Sequence, residues 1–166
     1  MNSNELKDLI GQRKLRYENK YSELIKNISV KGDSSGKGNF STFGAYYQTF
    51  MYAFIIGYKI KKCTILKTSD SSDFAPIADW KPNAIRDYII MIALNDTKDI
   101  NSILIYLENA ENEKISEFVT DCVKKIEGYA NAGLEYLKNI WDNNSIEFQD
   151  PFVFVNILRG LTEPDS

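Results

Sequence analysis

Thr42-Phe-Gly-Ala-Tyr-Tyr-Gln-Thr-Phe-Met-Tyr-Ala-Phe-Ile-Ile-Gly-Tyr-Lys59 decides the fold. Phe43, Tyr46, Tyr47, Phe50, Met51, Phe54, Ile55 and Tyr58 recur at steps of three and four, the spacing that stacks side chains on one helical face. Ala53 and Ile56 fill the opposite side, so the second half is apolar almost all round and must be buried on every face. Ser41 or Thr42 can cap this helix. Gly57 and the cations Lys59, Lys61 and Lys62 close it, where positive charge meets the negative end of the helix dipole. The pattern predicts the central helix of a helical domain.

Working outward, Lys81 opens a second apolar helix, with Pro82 in its first turn and Ile85, Tyr88, Ile89, Ile92 and Ala93 as its inner set. Asp99 can cap a shorter helix through Ile103, Leu104 and Leu107. From Asn112 to Asn143 the longest pattern holds one face through Ile115, Phe118, Val119, Cys122, Ile126, Tyr129, Ala130, Leu134, Leu137 and Trp141, with Gly128 and Gly133 inviting close helix approach. Asp150-Pro151 starts a last helix that Gly160 stops. On the N-terminal side, Tyr17, Tyr21, Leu24, Ile25 and Ile28 predict a helix from about Glu18. Between these lie a flexible Gly/Ser-rich loop at 29–40 and a long connection at 63–80 with room for one short extended piece.

The fold class expected is therefore all-α: a single-domain bundle of about five helices spanning residues 1–166. The helices starting near Thr42, Lys81 and Asn112 pack on one another and the terminal helices cover them. Phe50, Phe54, Ile89, Ile92, Phe118 and Leu134 are expected in one core. With 166 residues and 43% hydrophobic content, one such core is what the chain can fill.

Composition narrows the chemistry. There is no histidine, which removes Ser-His-Asp and Cys-His catalysis and histidine zinc sites. Cys63 and Cys122 are far apart without metal spacing and are read as reduced. The longest apolar run, Phe50 to Ile56, is far short of the ~20 residues of a membrane span, and the first residues carry no apolar signal region. A cytoplasmic protein without cofactor is expected. Gly32-Asp-Ser-Ser-Gly-Lys-Gly38 has the look of a phosphate loop but three residues between its first glycines and Gly after the Lys, where phosphate and Mg²⁺ binding need four and Ser or Thr. The carboxylate pairs Asp70/Asp73, Asp96/Asp99 and Glu111/Glu113 flank helix boundaries and suit capping better than metal binding.

Charge is divided by position. Residues 1–67 hold 12 Lys/Arg against 5 Asp/Glu, and residues 68–166 hold 8 against 18, so the net charge of −3 hides a polarity suited to an anionic partner. Arg13, Lys14, Arg16, Lys59, Lys61 and Lys62 are the candidate partner- or nucleic-acid-binding residues. A pI near 5.1 disfavours a stand-alone DNA binder.

Phe40 to Lys59 with Lys61-Lys62, an aromatic helix ending in Gly-Tyr-Lys and a basic exit, resembles the Dnd system-associated small proteins. Ile89 to Asp99 and Glu127-Gly-Tyr-Ala-Asn-Ala-Gly-Leu-Glu135 are similar, in the same order, to that family's "Ala-Leu, Thr, Asp" and "Glu-Tyr-Ala-Asn-Gly-Gly-Leu" segments. The resemblance spans roughly residues 40 to 141. It implies an accessory protein of a bacterial DNA-phosphorothioation or anti-phage defence cluster, and it carries no catalytic motif. The expected function is a non-enzymatic interaction subunit that binds a protein partner and DNA held by that partner. The alternatives are a small carboxylate-metal nuclease of the same context and a stand-alone nucleic-acid-binding protein.

Overall fold

The computed structural model describes residues 2–29, 43–95 and 99–162. In chain order these form α1 (Ser3–Gly11), β1 (Lys14–Glu18), α2 (Ser22–Ile28), α3 (Tyr46–Lys59), β2 (Ser71–Pro76), α4 (Asn83–Asn95), α5 (Ile100–Glu108), α6 (Asn112–Asn144) and α7 (Val153–Gly160). The fold is all-α as expected, with seven helices and one small sheet among the described residues. The loop at 29–40, the phosphate-loop-like segment within it, and the capping residues Ser41 and Thr42 lie outside the described residues, save Ser29.

The N-terminal segment departs from expectation. The chain is not yet helical at Glu18. Lys14–Glu18 is a strand that pairs antiparallel with Ser71–Pro76, Arg16 opposite Asp73 and Glu18 opposite Ser71, and the helix begins at Ser22. Local periodicity favours helix there, but the partner strand lies more than fifty residues away, and strand pairing of that range leaves no local trace. The extended piece expected within 63–80 is this partner, β2. Ahead of it, α1 is set by a capping box: the Asn2 side chain accepts the Asn4 and Glu5 amides at 3.0 Å, and Glu5 accepts the Asn2 N–H at 2.8 Å. Leu6 and Ile10, one turn apart, are buried.

At the centre α3 crosses α6. A Cβ on Gly57 would stand 2.7 Å from the carbonyl carbon of Tyr129, and one on Gly133 would stand 2.5 Å from that of Ala53. The two pairs, Ala53/Gly57 and Tyr129/Gly133, are each one turn apart, so glycine on both helices lets the backbones touch at successive turns. Phe50, Phe54, Ile89 and Leu134 are buried in one core, and Ile92 and Phe118 pack half-exposed against it. Trp80, 1% exposed, stacks on Tyr47 at 5.4 Å and donates its indole N–H to Ala75 O at 2.9 Å, which fastens the β2 connection to α3. The Tyr52 hydroxyl donates to Phe154 O at 2.6 Å and ties α7 to α3. Of the two cysteines, Cys63 is exposed and Cys122 buried.

In α4 Ile89 and Ala93 of the expected inner set are buried, together with Ile90 and Leu94, while Ile85, Tyr88 and Ile92 are not, so the buried face is rotated from the one that spacing favours. Tyr88 is 60% exposed and Met91 44%. A helix that is apolar all round has little directional preference of its own, so its neighbours choose which face is covered. No helix among the described residues is long and apolar enough to cross a membrane.

Candidate functional site

The six candidate cations do not form one patch: three of them, Arg13, Arg16 and Lys62, are spread along α6. Arg13 reaches Ser116 Oγ at 3.5 Å, Arg16 Nε reaches Glu127 at 3.3 Å and Lys62 reaches Glu135 at 2.6 Å. Ser116 and Glu135 are nineteen residues apart on one helix, roughly 28 Å at 1.5 Å per residue. Lys14 turns to Asp73 at 3.4 Å. Lys59 and Lys61 are exposed and make no ion pair among the described residues.

Beneath this row lies a buried polar network on α6 at Glu127 and Asn131, one turn apart, with the more exposed Glu135 a turn beyond. Glu127, 2% exposed, accepts the Arg16 backbone N–H at 2.9 Å as well as its guanidinium. Glu18 points inward from β1 and accepts the Lys67 N–H and the Asn131 side-chain amide, both at 3.0 Å, with Lys20 at 2.7 Å. Burial pushes the Glu18 carboxyl up, but the hydrogen bonds from Lys20, Lys67 and Asn131 outweigh it and hold it below its usual range. Asn131 Oδ1 is buried without a partner. The network clamps β1 and the 62–67 segment to α6, and Thr64 N–H bonds Gly128 O at 2.9 Å beside it. Its geometry is structural: the buried carboxylates are filled by protein donors.

Two concavities border α4. One, of about 370 Å³, lies between α1, α4 and α5, walled by Leu6, Ile90, Leu94, Ile100 and Leu104 and bridged by Lys7 and Asp87 at 2.6 Å. Burial raises the Asp87 carboxyl, and hydrogen bonds from Lys7 and Arg86 turn the balance downward. Ile105, 65% exposed, lies one turn beyond the lining residue Asn101. The other, of about 630 Å³, opens at the α3 exit and is lined by Tyr58, Lys59, Lys61, Tyr88 and Tyr129 with apolar Ile55 and Ile92 at its base. A smaller hollow of about 320 Å³, sharing Tyr58 and Tyr88, extends it toward Asn95. Tyr129 meets Tyr58 edge-on at 5.6 Å and Phe54 at 5.7 Å, which fixes the inner wall. Lys61 sits at φ 54°, turning the chain sharply after α3. Asp96 and Glu163 follow Asn95 and Thr162 in sequence and lie outside the described residues.

The carboxylate pairs are dispersed. Asp70 accepts Asn19 Nδ2 at 2.7 Å, Asp73 faces Lys14, and Asp99 caps α5 through the Ser102 N–H at 3.1 Å; Asp96 lies outside the described residues. Among the described residues no three of His, Cys, Asp or Glu are grouped to hold a metal ion.

Sequence reasoning reached Lys59 and Lys61 but missed the tyrosines beside them. An aromatic inside an all-apolar helix reads as core, and only the tertiary rotation of α4 exposes Tyr88. It also missed Glu18, Glu127 and Asn131; the signal available was the i, i+4, i+8 row Glu127-Asn131-Glu135 within the otherwise apolar stretch Ile126 to Leu137.

The segments singled out by resemblance have physical roles: Gly57 and Gly133 form the crossing, Tyr58-Lys59 open the groove, and Glu127 with Asn131 hold β1. No curated protein and no solved structure matches the chain. A family model matches residues 14–155, which takes in the crossing, the polar network and the groove, and the chain belongs to that family, DNA sulphur modification system-associated protein 4.

Proposed function

We propose that this is a cytoplasmic, single-domain and non-enzymatic accessory subunit of a DNA sulphur modification system, holding a protein partner that in turn holds DNA. The observation that carries this is the apolar cleft between α1, α4 and α5. Leu94, Ile100 and Leu104 in its walls are aliphatic, the exposed Ile105 follows Leu104 on α5, and among the described lining residues the charged ones are Lys7 and Asp87, which pair. A cleft of this size accepts one or two aliphatic side chains of a partner helix, each stabilising the complex by about 1.5–3 kcal/mol if fully buried.

The experiment is affinity capture from the native host followed by mass spectrometry, using wild type and a Leu104→Glu, Ile105→Glu variant whose helicity is checked first. Wild type should retain a protein of the modification system and the variant should lose it. Equal capture by both would refute the docking surface. Degradation of DNA by the purified protein with Mg²⁺ or Mn²⁺, abolished by one Asp→Asn change, would refute the non-enzymatic role.

A further inference from the structure

The groove at the α3 exit differs from the ion-paired basic surfaces described above. Lys7, Lys14, Arg16 and Lys62 are each closed by a carboxylate of the chain itself. Lys59 and Lys61 instead flank a concavity whose described lining holds no carboxylate and three tyrosines. Two of those rings offer surface to solvent, Tyr88 at 60% and Tyr58 at 38% exposure, while Tyr129 braces Tyr58 from within. Solvated cations beside exposed aromatic faces form the pairing that single-stranded nucleic acid recognises, phosphates meeting lysines and bases meeting rings. A duplex keeps its bases stacked and offers a concave aromatic groove only its backbone, and an acidic peptide uses the lysines but leaves the ring faces idle.

We propose that the groove formed by Tyr58, Lys59, Lys61 and Tyr88 binds single-stranded DNA, with a base stacked on Tyr88 and neighbouring phosphates at Lys59 and Lys61. Its volume of about 630 Å³ lies in the range of sites that enclose a small ligand, so one base and its flanking phosphates occupy it while the strand runs on along the hollow toward Asn95. The groove is lined by different residues from the α1–α4–α5 cleft, so the proposal stands whether or not that cleft docks a partner.

The test uses the purified full chain and a fluorescein-labelled twelve-residue oligothymidylate, followed by anisotropy at 50 and 200 mM salt. Two phosphate contacts predict about a sevenfold loss of affinity over that fourfold change in salt. Lys59→Ala with Lys61→Asn should weaken binding and flatten the salt dependence; Asn is chosen because it tolerates the left-handed backbone at position 61. Tyr88→Ala should weaken binding about tenfold and Tyr88→Phe should leave it intact, since stacking uses the ring and not the hydroxyl. Lys124→Ala, on the exposed face of α6, should change nothing. The idea is overturned if the anisotropy does not change, if Tyr88→Ala and the lysine variant bind as wild type does, if duplex of the same sequence binds as tightly, or if a Glu-rich peptide displaces the oligonucleotide at lower concentration than unlabelled oligothymidylate does. The last result would reassign the groove to a protein segment.

Discussion

Replacing Gly133 by alanine adds one methyl group at the tightest point of the molecule, and the sign of its effect tests the central crossing. On an exposed helix the change should stabilise by about 1 kcal/mol, because alanine restricts the unfolded chain. Here the new Cβ would stand 2.5 Å from the Ala53 carbonyl carbon and nearer still to its oxygen, against an ordinary contact of 3.4–4 Å. The obstacle is backbone hydrogen-bonded within α3, so no side chain can swing aside; the helices must separate by about 1 Å where Phe54, Ala130 and Leu134 are fully buried. Overpacking typically costs 1–3 kcal/mol and more when backbone must shift. About 4 kcal/mol of strain offset by about 1 kcal/mol of propensity leaves a net loss near 3 kcal/mol, a drop in Tm of about 6–12 °C for a chain of this length. Gly57→Ala, facing the Tyr129 carbonyl, should behave alike. Gly128→Ala meets only the Cys63 thiol, the far end of a side chain that can rotate, and Gly160→Ala meets nothing within 4 Å; both should fall within about 1 kcal/mol of wild type. Thermal melts of the four variants followed by circular dichroism give the ranking, and Gly133→Ala melting at or above wild type would refute the close crossing.

Glu127→Ala should destabilise by on the order of 2 kcal/mol, because it removes the acceptor of the Arg16 backbone N–H and of its guanidinium; urea unfolding at neutral pH measures it, and Glu127→Gln should cost less. Glu18 is held below its ordinary carboxyl range, so its contribution is complete above that range and lost as pH falls through the lowered value. The urea midpoint should therefore fall from about pH 5 downward more steeply in wild type than in Glu18→Gln. Burial pushes the Cys122 thiol up to about 11, while Cys63 is exposed; an aromatic disulfide reagent should titrate one thiol in the native protein and both in denaturant.

How much was legible in the sequence depended on whether the deciding contact was local. The crossing was legible in part: Gly133 was read as inviting close helix approach and does so, whereas Gly57, read as the helix end, makes the matching contact, and Gly128 faces Cys63 and Thr64 instead of a helix. Helix α6 and the shortening of α5 were plain from spacing and from Asp99. The strand Lys14–Glu18 was not, since its partner is β2 and its one telling residue, Glu18, reads as a surface charge until Lys67 and Asn131 are brought to it. The rotation of α4 was hidden for the opposite reason: apart from Arg86 and Asp87 its turns are almost wholly apolar, so periodicity names the helix and leaves its orientation to its packing on α6 and α3. The groove depends on that rotation and was hidden with it.

The division of charge between the two parts of the sequence takes on a different meaning once the partners are known. Lys7–Asp87, Lys14–Asp73, Arg16–Glu127 and Lys62–Glu135 each join a cation from residues 1–67 to a carboxylate from residues 68–166. A third of the twelve cations of residues 1–67 are used in this way, folding the basic section back on the acidic one. Three of these pairs are at least one-third exposed on both sides and contribute about 0–1 kcal/mol apiece, so their main effect is on register: α1 is pinned to α4, β1 to β2, and the α3 exit to α6. Arg16–Glu127 is different, for Glu127 is 2% exposed and an unpaired carboxylate there would cost several kcal/mol. That one pair places β1 on α6 and with it the whole N-terminal section. Lys59 and Lys61 stand apart from these four pairs, beside tyrosines, in a groove whose described lining holds no carboxylate. An anionic strand in the proposed groove would therefore be held at close range, where an overall charge of −3 gives no long-range attraction.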